Sequence, residues 1–409
     1  MINLKPYQKY KDSGVECIGK IPEHWEVKRL KFVARLAYGK SLPDEKREDG
    51  DYLVFGSNGL VGSHSSAVTC GPSIVIGRKG SFGKVVYVDT PCYPIDTAYF
   101  IDEGYTKSDL KWLYYLMQTL ELDKFSMDSA VPGLNRESTH NKLIPYFNIT
   151  EQVQIAKFLD RQTSQIENLI EKYERLIDLL KEKKTTLISR VVTKGLNSNV
   201  KMKDLGVEWI GKIPEHWEAK KLKFVSKIIM GQSPDSKYYN FDGEGYPFLQ
   251  GNAEFTELYP KAVKYCTQAN KFSQKGDILI SVRAPVGEIN ISDQKYGIGR
   301  GLVAIRPKLK QILPSYVWYG LNVFKISFNL LVSGSTYEAI SVDDVKNMLV
   351  SLPTKDEQQQ ITDYLDKETS NIDALVGKIN KQIELLKEHK ASLISHIVTG
   401  KVNVRGKIA

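Results

Sequence analysis

A chain of 409 residues with 42% hydrophobic side chains is long enough for two globular cores plus an extended helical element. Lys and Arg outnumber Asp and Glu by 57 to 48, a formal charge of +9, which admits a polyanionic partner without requiring one. No apolar run approaches the ~20 residues a membrane helix needs, and the opening MINLKPYQKY lacks the apolar core of a signal peptide, so a cytoplasmic protein is expected.

Residues 11–36, KDSGVECIGKIPEHWEVKRLKFVARL, return at an offset of 192 as KDLGVEWIGKIPEHWEAKKLKFVSKI, residues 203–228, with 19 of the 26 positions identical. The chain is therefore a tandem duplication. Each half holds an IPEHW segment, a body and a long helix. The join KGLNSNVKMKDLG has no apolar period and reads as an exposed connection. Cys17, Cys70, Cys92 and Cys266 form no CxxC pair, which fits buried free thiols better than disulfides or zinc.

The two bodies have diverged. Each carries a β-rich run closing a Gly or Pro turn, GPSIVIGRKGSFGKVVYV at 71–88 and GDILISVRAPVGEINIS at 276–292, which predicts hairpins. YPIDTAYFI is echoed by YGIGRGLVAI, and aromatic helices follow in LKWLYYLMQTL and PSYVWYGLNVF. Basic and aromatic groups on hairpin tips can meet phosphates and base edges. The candidates for such contacts are Ser57, Asn58, Arg78, Lys79, Phe82 and Lys84 in the first body, and Gln250, Asn252, Arg283 and Arg300 in the second. Solvated turns are the plainer alternative for each of them.

From Glu151 to Thr193 a pattern of fours and threes runs through Ile155, Leu159, Ile166, Leu169, Tyr173, Leu176, Leu180, Leu187 and Val191, interrupted only by Gln162 and Lys183 and with no Pro or Gly. At an offset of 206 it recurs from Glu357 to Thr399 as Ile361, Leu365, Ile372, Leu375, Ile379, Leu386, Leu393 and Ile397. Such a seam predicts two helices of roughly 65 Å that pack on each other as an antiparallel coiled coil. The expected fold is α+β: two similar domains of antiparallel sheet and helices, separated by the coiled coil, in a pseudo-twofold internal duplication.

Catalytic patterns are missing. Gly39-Lys40-Ser41 lacks the first glycine of a phosphate loop, and Gly297-Ile298-Gly299-Arg300-Gly301 lacks the spacing of a dinucleotide fingerprint. Glu23 and Glu26, repeated as Glu215 and Glu218, stand too close in sequence for a nuclease strand crossing, and the adjoining His24-Trp25 and His216-Trp217 look like structural anchors. The six histidines show no metal-ligand spacing, so no metal site and no catalysis by this chain are expected.

The duplicated IGKIPEHW, the GSNGLVG and GDILIS…RGLVAI runs, and the EQ-led helices ending LISRVVT and LISHIVT together resemble the DNA-specificity subunit of type I restriction–modification enzymes, over nearly the whole chain. The resemblance implies a first target-recognition domain with its N-terminal arm in 1–150, a conserved helix in 151–195, a second recognition domain in 196–355, and a second helix with a tail in 356–409. It implies that each domain reads one half of a split, asymmetric sequence in double-stranded DNA while the helices set the unread spacer. The implied partners are two methylation subunits that use S-adenosylmethionine to modify adenine at N6, and two motor-nuclease restriction subunits that use ATP and magnesium. The family supplies no universal base-contacting residues. A coiled-coil adaptor binding proteins alone is the alternative, and an autonomous nuclease a third.

Overall fold

The computed structural model describes residues 5–16, 18–124, 133–206, 210–332 and 340–405, with the backbone alone for 325–332, so Cys17 lies outside the described residues. The chain divides into two compact units, Met1–Glu174 with Asn380–Ala409, and Arg175–Ile379. The division falls inside both long helices. Each unit thus owns one IPEHW segment, one body, and half of each helix.

In unit 1, Tyr10–Asp12 pairs with Lys20–Pro22, and Glu26–Arg29 pairs with Leu143–Tyr146 beyond the body, so the same edge closes the body's entry and exit. The body's main sheet runs Ala37–Tyr38, Ala98–Ile101, Ser73–Gly77, Val85–Val88, antiparallel throughout. Its central strand SIVIG is wholly buried, as a β-branched run with sheet on either side should be. A second sheet joins Gly59–His64, Tyr52–Gly56 and Cys92–Pro94. Helices α1 (Leu110–Gln118) and α2 (Arg136–Asn141) complete the body, and α3 (Ile149–Lys194) follows.

Unit 2 repeats this order through Met202–Asp204 with Lys212–Pro214, and Glu218–Lys221 with Leu349–Leu352. After the single turn α4 (Leu222–Val225), the main sheet runs Ser226–Met230, Leu302–Pro307, Ile278–Ser281, Ile289–Ile291. The smaller sheet has an extra strand, in the order Tyr239–Asn240, Lys264–Cys266, Tyr246–Leu249, Gly297–Ile298. Helices α5 (Pro314–Val332), α6 (Val342–Asn347) and α7 (Lys355–Val398) end it. The expected hairpins and aromatic helices are present. The sheets are not purely antiparallel, because Tyr52–Gly56 pairs in parallel with Cys92–Pro94, and Tyr246–Leu249 with Gly297–Ile298. Alternation of apolar residues specifies a strand's faces but not its direction. Cys92 and Cys266 are buried free thiols as expected, whereas Cys70 is exposed.

The long helices pair antiparallel within each unit. In unit 1, Ile155, Phe158 and Leu159 at the start of α3 share a core with Ile394, Ile397 and Val398 at the end of α7. In unit 2, Ile361 and Leu365 at the start of α7 share a core with Ile188, Val191 and Val192 at the end of α3. Ion pairs cross the helices at Glu167–Lys390 and at Lys184–Asp373, the latter at 2.7 Å. Adding the offset of 206 to 167 and 184 gives 373 and 390, so the two ion pairs are copies of one another.

The seam differs from the one counted in the sequence. Ile166, Leu180, Leu187, Leu386 and Leu393 are partly buried, and Ile372 and Ile379 fully so, but Leu169, Leu176 and Leu375 are exposed. Their places are taken by Ile170, Ile177 and Val376, one residue further along. Both phases look apolar in the sequence because leucines and isoleucines are adjacent in NLIEKYERLIDLL. Lys184 and Lys390 hold the corresponding step later in the seam, stems partly buried and ammonium groups in the crossing ion pairs.

Each unit is locked at its IPEHW segment. Trp25 is fully buried, stacked on Phe147 at 3.9 Å, and its indole N–H donates to Glu151 of α3 at 3.3 Å. The same carboxylate is 2.9 Å from His24 Nε2 and accepts from the Tyr7 hydroxyl at 2.9 Å. In unit 2, Trp217 donates to Glu357 at 3.3 Å and His216 lies 2.8 Å from it. The next residue of each helix holds the aromatic helix: Gln152 Oε1 accepts from Asp109 N–H at 3.0 Å, and Gln358 Oε1 from Leu313 N–H at 2.9 Å. Further along, Tyr115 donates to Asp160 at 2.7 Å and Tyr319 to Asp366 at 2.6 Å. Reading His24-Trp25 and His216-Trp217 as anchors therefore holds.

If the seam runs through Ile177 and not Leu176, alanine at the two positions separates them. Ile177→Ala should cost about 2–4 kcal/mol in urea unfolding, and Leu176→Ala less than about 1 kcal/mol.

Candidate nucleic-acid interface

The hairpin after Ser73–Gly77 presents its tip through tight backbone packing. A Cβ on Gly77 would fall 2.5 Å from Ser57 O and 2.6 Å from Ser81 O, so only glycine permits the approach. The amides of Arg78 and Lys79 donate to Thr97 O at 2.9 and 3.3 Å, and Leu134 N–H donates to Arg78 O at 2.8 Å. These bonds set Arg78 on the wall of an open concavity of about 770 Å³.

That concavity is cationic and aromatic. Lys31, Arg78, Lys79 and Arg136 line it with Tyr38, Tyr99, Asn135, His140 and Asn141, and Glu137 is the acid among its described lining residues. Tyr38, nearly half exposed, has two guanidinium groups over its ring: Arg78 at 4.8 Å and Arg136 at 5.0 Å from the centroid. Arg78 also donates from Nη1 to Asp96 O at 3.2 Å and interacts with the Tyr99 hydroxyl, so its guanidinium is held on the wall of the concavity. Arg136 opens α2, whose N-cap Asn135 accepts from the amides of Glu137 and Ser138. Burial holds the Tyr99 hydroxyl above its ordinary range, and Tyr38 acts the same way while Arg78 opposes both.

His140 reports the local field. Its Nε2 accepts from Leu36 N–H at 3.0 Å, which requires an unprotonated nitrogen. Burial lowers its pKa, and Arg136, Arg35 and Lys31 lower it further. An array of cations around a stacked tyrosine, open to solvent, suits the phosphates and base faces of a nucleic acid.

The structure gathers only some of the residues singled out in the sequence. Arg78 and Lys79 share the concavity, with Ser57 packed beside their hairpin. Asn58 is exposed on the neighbouring turn, where its carbonyl accepts from Lys84 Nζ at 2.7 Å. Lys84 and Phe82 face a different hollow with Glu121 and Asp123, and Phe82 packs against the core of unit 1, so neither stands with Arg78. The sequence reading missed Lys31, Tyr38, Tyr99, Arg136 and His140. The first and last of them, Lys31 and His140, stand 109 positions apart, and only the start of α2, Asn135 capping before a basic residue, left a local trace.

In unit 2 the same backbone carries different side chains. Val282 N–H donates to Gly301 O at 2.9 Å and Val282 O accepts from Ile340 N–H at 3.0 Å, repeating the bonds of Arg78. Arg283 therefore corresponds to Lys79, and the place of Arg78 holds a buried valine. The bonds Ile95 N–H to Phe55 O and Gly299 N–H to Leu249 O likewise match Asn58 with Asn252. Arg300 sits between Gly299 and Gly301, which pack against the backbone of Gln250, so Gln250 and Arg300 are neighbours on an exposed rim. Met230 stands where unit 1 has Tyr38. Among the described residues no group of three or more His, Cys, Asp or Glu is placed to hold a metal. No described helix is long and apolar enough to cross a membrane.

A family model described as the type I restriction modification DNA specificity domain matches residues 22–177 and again 214–385. The chain is 30% identical to a putative type I restriction enzyme MjaX specificity subunit of Methanocaldococcus jannaschii, covering 99% of this chain and all of that protein. It is 20% identical to the type I restriction enzyme EcoBI specificity subunit of Escherichia coli, over 94% of this chain and 88% of that one. Among solved structures, a chain from work on complex assembly and conformational transition of the type I R-M system superposes with a TM-score of 0.72 at 22% identity, covering 92% of this chain and 98% of that one. The HsdS subunit from Thermoanaerobacter tengcongensis superposes with a TM-score of 0.54 at 22% identity, over 93% and 98%.

The field at His140 is directly measurable. NMR titration should place its pKa below the ordinary 6.5, and Arg136→Gln should raise it. Because the unfolded chain takes up that proton first, the folded protein loses stability as pH falls through the ordinary histidine range, and His140→Gln should flatten that slope.

Proposed function

This chain belongs to the family of the type I restriction–modification DNA specificity domain, and we propose that it is the subunit that gives such an enzyme its DNA sequence specificity. The observation that carries this reading is the contrast between constant and variable parts. The IPEHW locks, the helix pairing and the four-stranded main sheet of the body occur in both units. The side chains at equivalent positions differ, with Arg78, Lys79 and Tyr38 in one unit against Val282, which is buried, Arg283 and Met230 in the other. One framework presenting two chemistries suits a split, asymmetric site in double-stranded DNA, one half read by each unit.

In unit 1 the Tyr38, Arg78 and Arg136 cluster is the reader. Arginine offers a planar fork that matches two acceptors on guanine, and the Tyr38 ring lies 4.8 and 5.0 Å from the two guanidinium groups. In unit 2 Gln250, Asn252, Arg283 and Arg300 take that role, with glutamine and asparagine suited to adenine. Ser57 and Asn58 flank the first reader. The continuous helices α3 and α7 set the number of base pairs left unread.

This subunit supplies recognition and no catalytic step. Its assembly partners are two methylation subunits, which use S-adenosylmethionine to modify adenine at N6, and two motor-nuclease restriction subunits, which use ATP and magnesium. Exposed leucines recur at equivalent helix positions, Leu169 with Leu375 and Leu179 with Leu385, and these offer the methylation subunits the same foothold twice. The enzyme works in the cytoplasm. A protein-only adaptor would leave the cationic concavity without a role.

Exchanging residues 27–147 for another body should alter one half of the methylated motif and leave the other intact, as read by sequencing N6-methyladenine in the genome. A motif changed in both halves, or in neither, would contradict the modular reading. Arg78→Ala should weaken binding of the cognate duplex roughly ten- to hundredfold and relax the choice of one base.

A further inference from the structure

In both units a single helical turn, Leu30–Phe32 in unit 1 and α4 in unit 2, follows the strand leading away from the IPEHW segment. Leu30 and Leu222 are fully buried, and their amides are pinned to Lys142 O at 2.9 Å and to Met348 O at 2.8 Å. The turn so fixed points its phenylalanine outward, Phe32 74% exposed and Phe224 57%. Lys31 Nζ and Lys223 Nζ each stand 5.4 Å from the centroid of the phenylalanine that follows. Lys28, Arg29, Lys31 and Arg35 flank the first turn, and Lys220, Lys221, Lys223 and Lys227 the second, with no acid in 27–35 or 219–227.

A phenyl ring held in water on a rigid turn forfeits the gain of burial, and here it does so twice with the same geometry. Side chains at the proposed reading positions differ between the units, so a feature common to both serves something that both half-sites share. We propose that the Phe32 and Phe224 turns grip the DNA sugar–phosphate backbone without regard to sequence, the cations neutralising phosphates and the ring packing on deoxyribose. This rests on the DNA-specificity reading above and assigns it a positioning element distinct from the readers. In unit 1 the grip and the reader share one surface, since Lys31 lines the concavity that holds Arg78 and Arg136. Beside each turn one carboxylate, Glu26 on Lys28 at 2.9 Å and Glu218 on Lys220 at 2.7 Å, stands against four cations, a positive excess that favours a polyanion over a protein surface. The helix leucines, set among both acids and bases, suit a protein better.

The test uses the complex assembled with its methylation subunits. Phe32→Ala and Phe224→Ala should each weaken a duplex carrying the motif and one lacking it by the same factor, about tenfold, with the methylated motif unchanged. Lys31→Gln and Lys223→Gln, which leave the core untouched, should each lower the salt dependence of binding by about one unit of slope. A changed motif would overturn the grip. So would unaltered binding, whether the complex stays whole or a methylation subunit is lost from it, the latter making the turns a protein dock. If the wild-type complex itself failed to prefer its motif, the specificity reading would fall instead, so the two failures are told apart.

Discussion

A buried indole clasped between the first turn of one long helix and the last turn of the other is the contact on which each unit depends. Trp25 donates to Glu151 at the start of α3, while Gly400, just past the end of α7, lies so close that a Cβ there would come within 2.8 Å of the ring. Trp217 donates to Glu357 at the start of α7, with Gly195 beyond α3 leaving only 3.1 Å for a Cβ. Both glycines adopt positive φ, +76° and +74°, as a residue ending a helix by a left-handed turn does. Either unit therefore needs both helices, and the antiparallel pairing follows from that need. A carboxylate buried as Glu151 is would be costly alone, and its bonds from Tyr7, His24 and Trp25 offset the cost.

With the frame closed in this way, the bodies are free to differ in what they show. Their entry and exit strands are tied by the same two-stranded pairing in both units, and their hairpins hang from the same backbone bonds. Substitutions at the hairpin tip disturb none of these, since amides and carbonyls carry the geometry. The cationic concavity of unit 1 and the Gln250–Arg300 rim of unit 2 are therefore two contents of one holder. That separation of holder from content is what a protein needs if its DNA target is to change without refolding.

Much of the frame was legible in the sequence. The offsets of 192 and 206 identified the duplication, and the EQ pairs that open the long helices prove to be the anchors Glu151, Gln152, Glu357 and Gln358. The seam was misread by one residue at Leu169, Leu176 and Leu375, because where isoleucine and leucine alternate with each other only packing selects the phase. The site was half legible. Arg78 and Lys79 stood out on a glycine-rich tip, but Tyr38 and Arg136 lie far from them in the chain and meet only when the sheet forms. Phe82 looked like a tip residue, but it is partly buried and packs against the core, since a hairpin this short turns one of its side chains back to the body.

The proposal that the helices gauge the spacer is tested most directly by lengthening both at once. One heptad inserted after Arg175 and another after Lys381, the equivalent point at 175 plus 206, keeps the seam in phase between the Glu167–Lys390 and Lys184–Asp373 ion pairs. The methylated motif of that variant should keep both half-sequences and gain a longer unread spacer, by no more than about three base pairs because seven residues add roughly 10 Å of helix. An unchanged spacer, or a half-sequence altered by an insertion that touches neither body, would contradict the account.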